Sequence, residues 1–267
     1  MEAVSDVPQV ERDREWTTIR PFGPSIIRGQ MSPELQKVLC GLFEQQGAKN
    51  ELTPEEDNQW TLAGNNKREF LITQDLLGEN AQMFQDCINK GASQIYLAHV
   101  NVTWESQQGV ATPLHKKLIA ENLDKIHLTV GIHTAWGNIS VAGDFNPAHQ
   151  HTGEVSGVGY LKMPENIEKE WLTEDHDPSA GMINFHDGRP NTGAVHMYRV
   201  KPVVGDIYFF PAWLPHSVHP FRSEGERWSF SFNLSIQNLN EDINLTDLQK
   251  AELRNERTKL LKEFANE

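Results

Sequence analysis

Arg227-Trp-Ser-Phe-Ser-Phe-Asn-Leu-Ser235 is the stretch that decides the fold. Its residues alternate strictly: Arg227, Ser229, Ser231, Asn233 and Ser235 share one face, and Trp228, Phe230, Phe232 and Leu234 share the other. Period two is the mark of a β-strand with unlike faces. A solvated strand of an antiparallel sheet gives the same alternation. Yet solvated faces are usually furnished with Lys, Glu and Thr, whereas this one carries a single Arg above small hydroxyls. A guanidinium is a planar fork that matches a carboxylate, and a hydroxyl two residues on can complete the grip. The segment therefore reads as a strand with an anion site on its inner face.

Working outward, similar short runs occur at 98–104, 127–134, 136–142, 155–163, 181–186, 194–201, 205–210 and 216–221. Turn residues separate them, among them Gly143-Asp144, Asp187-Gly188, Gly205-Asp206 and Ser223-Glu224-Gly225. Many short strands at this spacing predict a sandwich or barrel. Helices flank it. Ser32-Pro33 opens one that carries Leu35, Val38, Leu39, Leu42 and Phe43 and stops at Gly47. A second spans about 74–90, with Gly91 as its stop, and Thr246-x-x-Gln249 opens a charged C-terminal helix. The expected organisation is one domain: a mixed N-terminal part, 1–92, packed on a core, 93–240, with the closing helix at 241–267.

Composition narrows the function. The 267 residues carry a formal net charge of −13, which disfavours broad contact with phosphate backbones, so no nucleic-acid partner is expected. No apolar run reaches membrane-spanning length, and the acidic start MEAVSDVPQVERDREW lacks a signal-peptide core. The expectation is a cytoplasmic protein without a membrane partner. The two cysteines, Cys40 and Cys87, fall in helical segments and make neither a disulfide framework nor a zinc motif.

His149-Gln-His151 places two imidazoles on one face of an extended chain, after Asn146-Pro147 and before Gly153. Two solvated loop histidines would look the same. His216 adds weight because it follows the apolar strand Ile207-Tyr-Phe-Phe-Pro-Ala-Trp-Leu and brings a third imidazole from a distant part of the chain. His219, three residues on, faces the other way and reads as structural. The loop histidines His176, His186 and His196 read as exposed.

Taken together, His149-x-His151, His216 and Arg227-x-Ser229 resemble the iron(II)/2-oxoglutarate-dependent oxygenases. The fragments Asn146-Pro-Ala-His-Gln-His151, Ser156-Gly-Val-Gly-Tyr-Leu-Lys-Met-Pro164 and Gly205-Asp-Ile-Tyr-Phe-Phe-Pro-Ala-Trp-Leu-Pro-His216, with Trp136-Gly-Asn138, are similar to a branch of that superfamily found in bacteria and phages. The resemblance is close over about 135–235. It implies a mainly β protein with flanking helices, built on a double-stranded β-helix (jelly roll). It also implies iron(II) on His149, His151 and His216, and 2-oxoglutarate as cosubstrate. The distal carboxylate of that acid would lie on Arg227 and Ser229, with Tyr160 assisting. The reaction implied consumes 2-oxoglutarate and O2 and releases succinate and CO2, with hydroxylation of an amino-acid, peptide or small-molecule substrate as the default outcome.

One departure stands out. The superfamily pattern is His-x-Asp/Glu, yet no histidine of this chain is followed two residues later by Asp or Glu. By position His151 takes the carboxylate's place. Glu154 is the competing ligand, and His151-Thr-Gly153 is a third option, after the carboxylate-free His-x-Gly of iron halogenases. Two other function classes stay open. One is a cupin-like three-His dioxygenase or isomerase without 2-oxoglutarate; the other is a jelly-roll binding module without chemistry. A homodimer is left open, with no interface located.

Overall fold

The computed structural model describes residues 16–21, 23–49, 52–53, 56–58, 68–108, 128–172, 178–187 and 197–238. The C-terminal helix read from Thr246, His176 and His196 lie outside them. Contacts divide the chain into two units, Met1–Ile95 with Ile132–Ser235, and Tyr96–Gly131 with Ile236–Glu267. The second is described only at residues 96–108, 128–131 and 236–238. The first contains both faces of the fold and every candidate site residue.

In chain order the strands are β1 (Trp16–Ile19), β2 (Ile26–Gln30), β3 (Glu69–Leu71), β4 (Leu128–Ser140), β5 (Asn146–His149), β6 (Val155–Lys162), β7 (Ile183–His186), β8 (Met197–Val200), β9 (Asp206–Pro211), β10 (His216–Val218) and β11 (Arg227–Asn238). They form a seven-stranded sheet, β1-β2-β9-β6-β11-β4-β3, and a four-stranded sheet, β5-β10-β7-β8. Among the described residues the pairs β1–β2, β2–β9, β9–β6, β6–β11, β4–β3, β5–β10, β10–β7 and β7–β8 are all antiparallel. Two such sheets, with sequence neighbours distributed between them, make the jelly roll that the strand spacing predicts.

The alternation at 227–235 now has its physical meaning. Trp228, Phe230, Phe232 and Leu234 are buried on the helix side. There Trp228 stacks on Phe43 of α1 (Pro33–Gly47), and Phe230 meets Phe84 of a later helix. The opposite face looks into the space between the sheets. Ile26, Val158, Tyr160, Tyr208 and Phe210 of the large sheet meet Ile183, Phe185 and Val200 of the small one there. Helix α1 begins as expected, with the Ser32 side chain accepting from the Leu35 N–H and Pro33 at the first turn.

Four expectations need correction. The run 98–104 is not a strand. After α2 (Gln74–Leu77) and one 3₁₀ turn, helix α3 runs from Ala81 to Gln108. Ala98, Val100, Val102 and Trp104 alternate locally, but Phe84, Ile88, Ala92, Ile95 and Ala98 recur every three or four residues and are buried. That longer helical period sets the structure. Nor does Gly91 stop a helix. A Cβ there would lie 2.1 Å from the ring of Phe209, so Gly91 lets α3 lie close against the sheet. The two strands read at 127–134 and 136–142 are one, β4, and the loop end at Asn146–His149 is itself a strand, β5.

Candidate metal centre and anion pocket

His149 ends β5 and His216 opens β10, and the two residues face each other across that antiparallel pair. His151 lies just beyond β5, anchored by its N–H to the Ala212 carbonyl at 2.9 Å. One ligand nitrogen from each imidazole falls within 4.8 Å of the others. Ring centroids are separated by 4.4 Å (His149–His216), 4.9 Å (His149–His151) and 5.0 Å (His151–His216). Short-range backbone geometry aims two of the rings. His216 donates Nδ1–H to the Leu214 carbonyl at 2.9 Å, and His149 donates Nδ1–H to the Pro147 carbonyl at 2.7 Å. With Nδ1 occupied in this way, Nε2 keeps the lone pair that a metal needs.

Burial pushes the His216 imidazole down to about 3, with the His149 charge adding to the effect. Burial and the same neighbour bring His151 down to about 4. Both rings are therefore neutral at pH 7. Their Nε2 atoms stand 3.2 Å apart. Two nitrogens about 2.1 Å from a shared cation, at roughly a right angle, show such a spacing. Neutral imidazoles suit iron(II). The donor set and its geometry thus fit a divalent transition metal. Glu154 is not in the cluster: its N–H donates to the Leu234 carbonyl and its carbonyl accepts from Ala212, which turns this residue toward β11 and the loop after β9. His219 also stays apart, its Nδ1 2.6 Å from the Ser179 hydroxyl, and half-buried His186 meets the Ser217 hydroxyl rather than the triad.

The second half of the site lies at the start of β11. Arg227 is only 5% exposed, which rules out a solvated strand face. Its two terminal nitrogens donate to the Gly181 carbonyl (3.0 Å) and the Ser140 hydroxyl (3.1 Å), while Nε has no partner. Burial pushes the guanidinium pKa down, with Tyr160 and Asp144 opposing. A buried cation without a bonded carboxylate is costly unless an anion joins it. Ser229, also buried, pairs in register with Tyr160 of β6 on the same inner face. Burial raises the Tyr160 hydroxyl pKa strongly, so it remains a proton donor. An unmet N–H, a serine and a tyrosine suit a carboxylate.

Sequence reasoning missed several neighbours. Ser140 and Gly181, which hold Arg227, carry no motif, and Trp136 lies with its ring centroid 5.7 Å from that of His151. Asp206, read only as a turn residue, is fully buried and paired with Arg28.

Comparison with known proteins bears on the same segment. Residues 134–233 match the family model described as "Putative 2OG-Fe(II) oxygenase". No curated protein matches the chain. Similar solved structures include a prolyl-4-hydroxylase from Pseudomonas putida, with 16% identity over 83% of this chain and 93% of that one, TM-score 0.38. Another is a viral collagen prolyl hydroxylase from Paramecium Bursaria Chlorella virus-1 in its 2OG complex, with 13% identity over 83% and 96%, TM-score 0.39. A third is HygX from Streptomyces hygroscopicus with nickel and 2-oxoglutarate bound, with 10% identity over 82% and 84%, TM-score 0.43. Iron(II) and 2-oxoglutarate fit both the matched family and the donor sets described above. From Thr134 to Asn233, a span that takes in the three histidines, Arg227 and Ser229, this chain matches the 2OG-Fe(II) oxygenase family.

Proposed function

We propose that the protein is an iron(II)- and 2-oxoglutarate-dependent dioxygenase that hydroxylates an amino-acid, peptide or small-molecule substrate. The observation that carries this reading is the pairing of three convergent imidazoles with a buried Arg227 to which no carboxylate is bonded among the described residues. Bound iron(II) with 2-oxoglutarate and O2 supplies an oxidation in which the oxo acid becomes succinate and CO2 and the substrate gains a hydroxyl.

The roles of the chain's own residues follow from their chemistry. His149, His151 and His216 would hold the metal, and loading at pH 7 would need no deprotonation at His151 or His216. Arg227 pairs with the distal carboxylate, and Ser229 and Tyr160 donate to it. Phe185 and Phe210, whose rings lie 6.0 and 4.9 Å from that of His216, close the inner side of the site against water. Replacing the usual carboxylate by His151 leaves the centre one unit more positive, which favours an anionic cosubstrate.

The test is anaerobic visible absorption of the protein with iron(II), titrated with 2-oxoglutarate. A cosubstrate-dependent charge-transfer band is expected. Arg227→Ala should weaken 2-oxoglutarate binding about 100-fold, because a buried charge pair is broken. Metal binding without any such band would overturn the proposal in favour of a three-His enzyme that does not use 2-oxoglutarate.

A further inference from the structure

Opposite Arg227, at the β2–β9 side of the inner face, lies a polar network that the proposed reaction does not require. Gly205 turns the chain with φ of +91°, and Asp206 follows it into β9, fully buried. Arg28 of β2 donates Nε–H to Asp206 Oδ2 at 2.8 Å and Nη2–H to Oδ1 at 3.1 Å. The Tyr208 hydroxyl donates to Oδ2 at 3.1 Å, and Gln30 adds a further side-chain hydrogen bond to the carboxylate. Tyr208 is in register with Arg28 on one side and Val158 on the other. Its ring stands edge-on to that of Tyr160, with centroids 6.3 Å apart.

The consequence is a division of labour between two buried tyrosines. Both belong to the core cluster between the sheets. Tyr208 spends its hydroxyl on Asp206; burial raises the pKa of that carboxyl, and the Arg28 guanidinium bonded to it opposes the rise and holds the acceptor in place. No hydrogen bond engages the Tyr160 hydroxyl among the described residues, and the Arg227 guanidinium, within electrostatic reach of it, has an unpartnered Nε. Were Tyr208 free, its hydroxyl would have the unmet partners of the pocket as alternatives, and its ring would no longer fix the wall against which Tyr160 stands.

We infer that Arg28, Asp206 and Tyr208 form a tether that positions Tyr160, and so sets the depth at which the distal carboxylate of a five-carbon 2-oxo diacid is received. This rests on the 2-oxoglutarate reading above. Tyr208 is a positioning residue: it acts through Tyr160 and does not touch the metal ligands.

The experiment compares two probes on the iron(II)-loaded protein by anaerobic absorption titration. One is 2-oxoglutarate; the other is pyruvate, which has the same 2-oxo acid head and no distal carboxylate. Tyr208→Phe keeps the ring and removes the anchor. It should weaken 2-oxoglutarate about fivefold, the scale of one hydrogen bond, and leave pyruvate unchanged. Asp206→Asn removes the charge that Arg28 holds in place, so it should likewise weaken 2-oxoglutarate about fivefold and leave pyruvate unchanged. Equal weakening of both probes in Tyr208→Phe, or a lowered melting temperature with an unchanged ratio of the two affinities, would reduce the tether to a structural element and overturn the inference. If the native protein shows no 2-oxoglutarate band, the oxygenase reading itself falls. If it shows the band and only Arg227→Ala weakens it, the tether alone falls.

Discussion

The histidine end and the arginine end of the barrel are built in opposite ways. At the histidine end, His149 and His216 each take their orientation from a carbonyl two residues back in their own chain, Pro147 and Leu214. At the arginine end, Arg227 is held by Gly181 and Ser140, 46 and 87 positions away. At the first end strand pairing brings the rings together, but local backbone geometry sets how two of them point. The second exists only once three distant segments have met, and it concentrates a buried charge. The histidine cluster can therefore survive damage that would destroy the proposed cosubstrate pocket, and the two can be tested separately.

The largest effect should come from His216→Ala, which removes a ligand rather than a supporting group. Support residues around a metal commonly cost 10–100-fold in affinity, so loss of the ligand itself should cost about 100-fold or more. Isothermal titration with iron(II) under argon reads this directly. Retention of native affinity would show that the triad is not the metal site.

Next comes acid lability of the metal-free protein. Unfolded histidines bind protons below about pH 6.5. Buried His216 and His151 refuse theirs until about 3 and 4. The unfolded state thus takes up more protons in this window, and stability is retained above pH 6.5 and lost as pH falls toward 4. Melting temperatures across that range should fall with acidity, and replacing His216 by Asn should flatten the slope.

At the other end, Ser140→Ala removes one of the two hydrogen bonds that aim Arg227. The expected loss is about 1 kcal/mol, or roughly fivefold in 2-oxoglutarate affinity, with iron binding untouched. Parallel loss of iron would contradict the independence of the two ends. The smallest effect is expected for Glu154→Gln. The residue stands outside the histidine cluster, so iron affinity should stay within about twofold of native; a larger drop would restore Glu154 as a ligand.

How much could be read in advance follows the same division. The histidine pair, the third histidine and Arg227-x-Ser229 are visible as spacings because each depends on strand alternation or a short turn. Ser140 and Gly181 carry no such signal; nothing in the chain marks a serine 87 positions upstream as a partner for an arginine. The 98–104 segment misled because a period of two over four apolar residues coexists with a longer period near 3.6, and only the packing of Ala92, Ile95 and Ala98 selects the helix. Gly91 misled for a related reason. A glycine is a stop in isolation and a point of close approach when Phe209 lies against it.

What the sequence by itself determined is the two-faced character of β11, the succession of short strands and the identity of the imidazoles and the guanidinium. These rest on periodicity and side-chain chemistry, which are local properties. Only the tertiary structure decided that Ser140 and Gly181 hold Arg227, that Glu154 stands apart from the histidine cluster, and that Asp206, held by Arg28, accepts from the Tyr208 hydroxyl. Burial, charge pairing and register between distant strands exist only once the chain has closed on itself, and those are the quantities that turn a set of polar residues into a site.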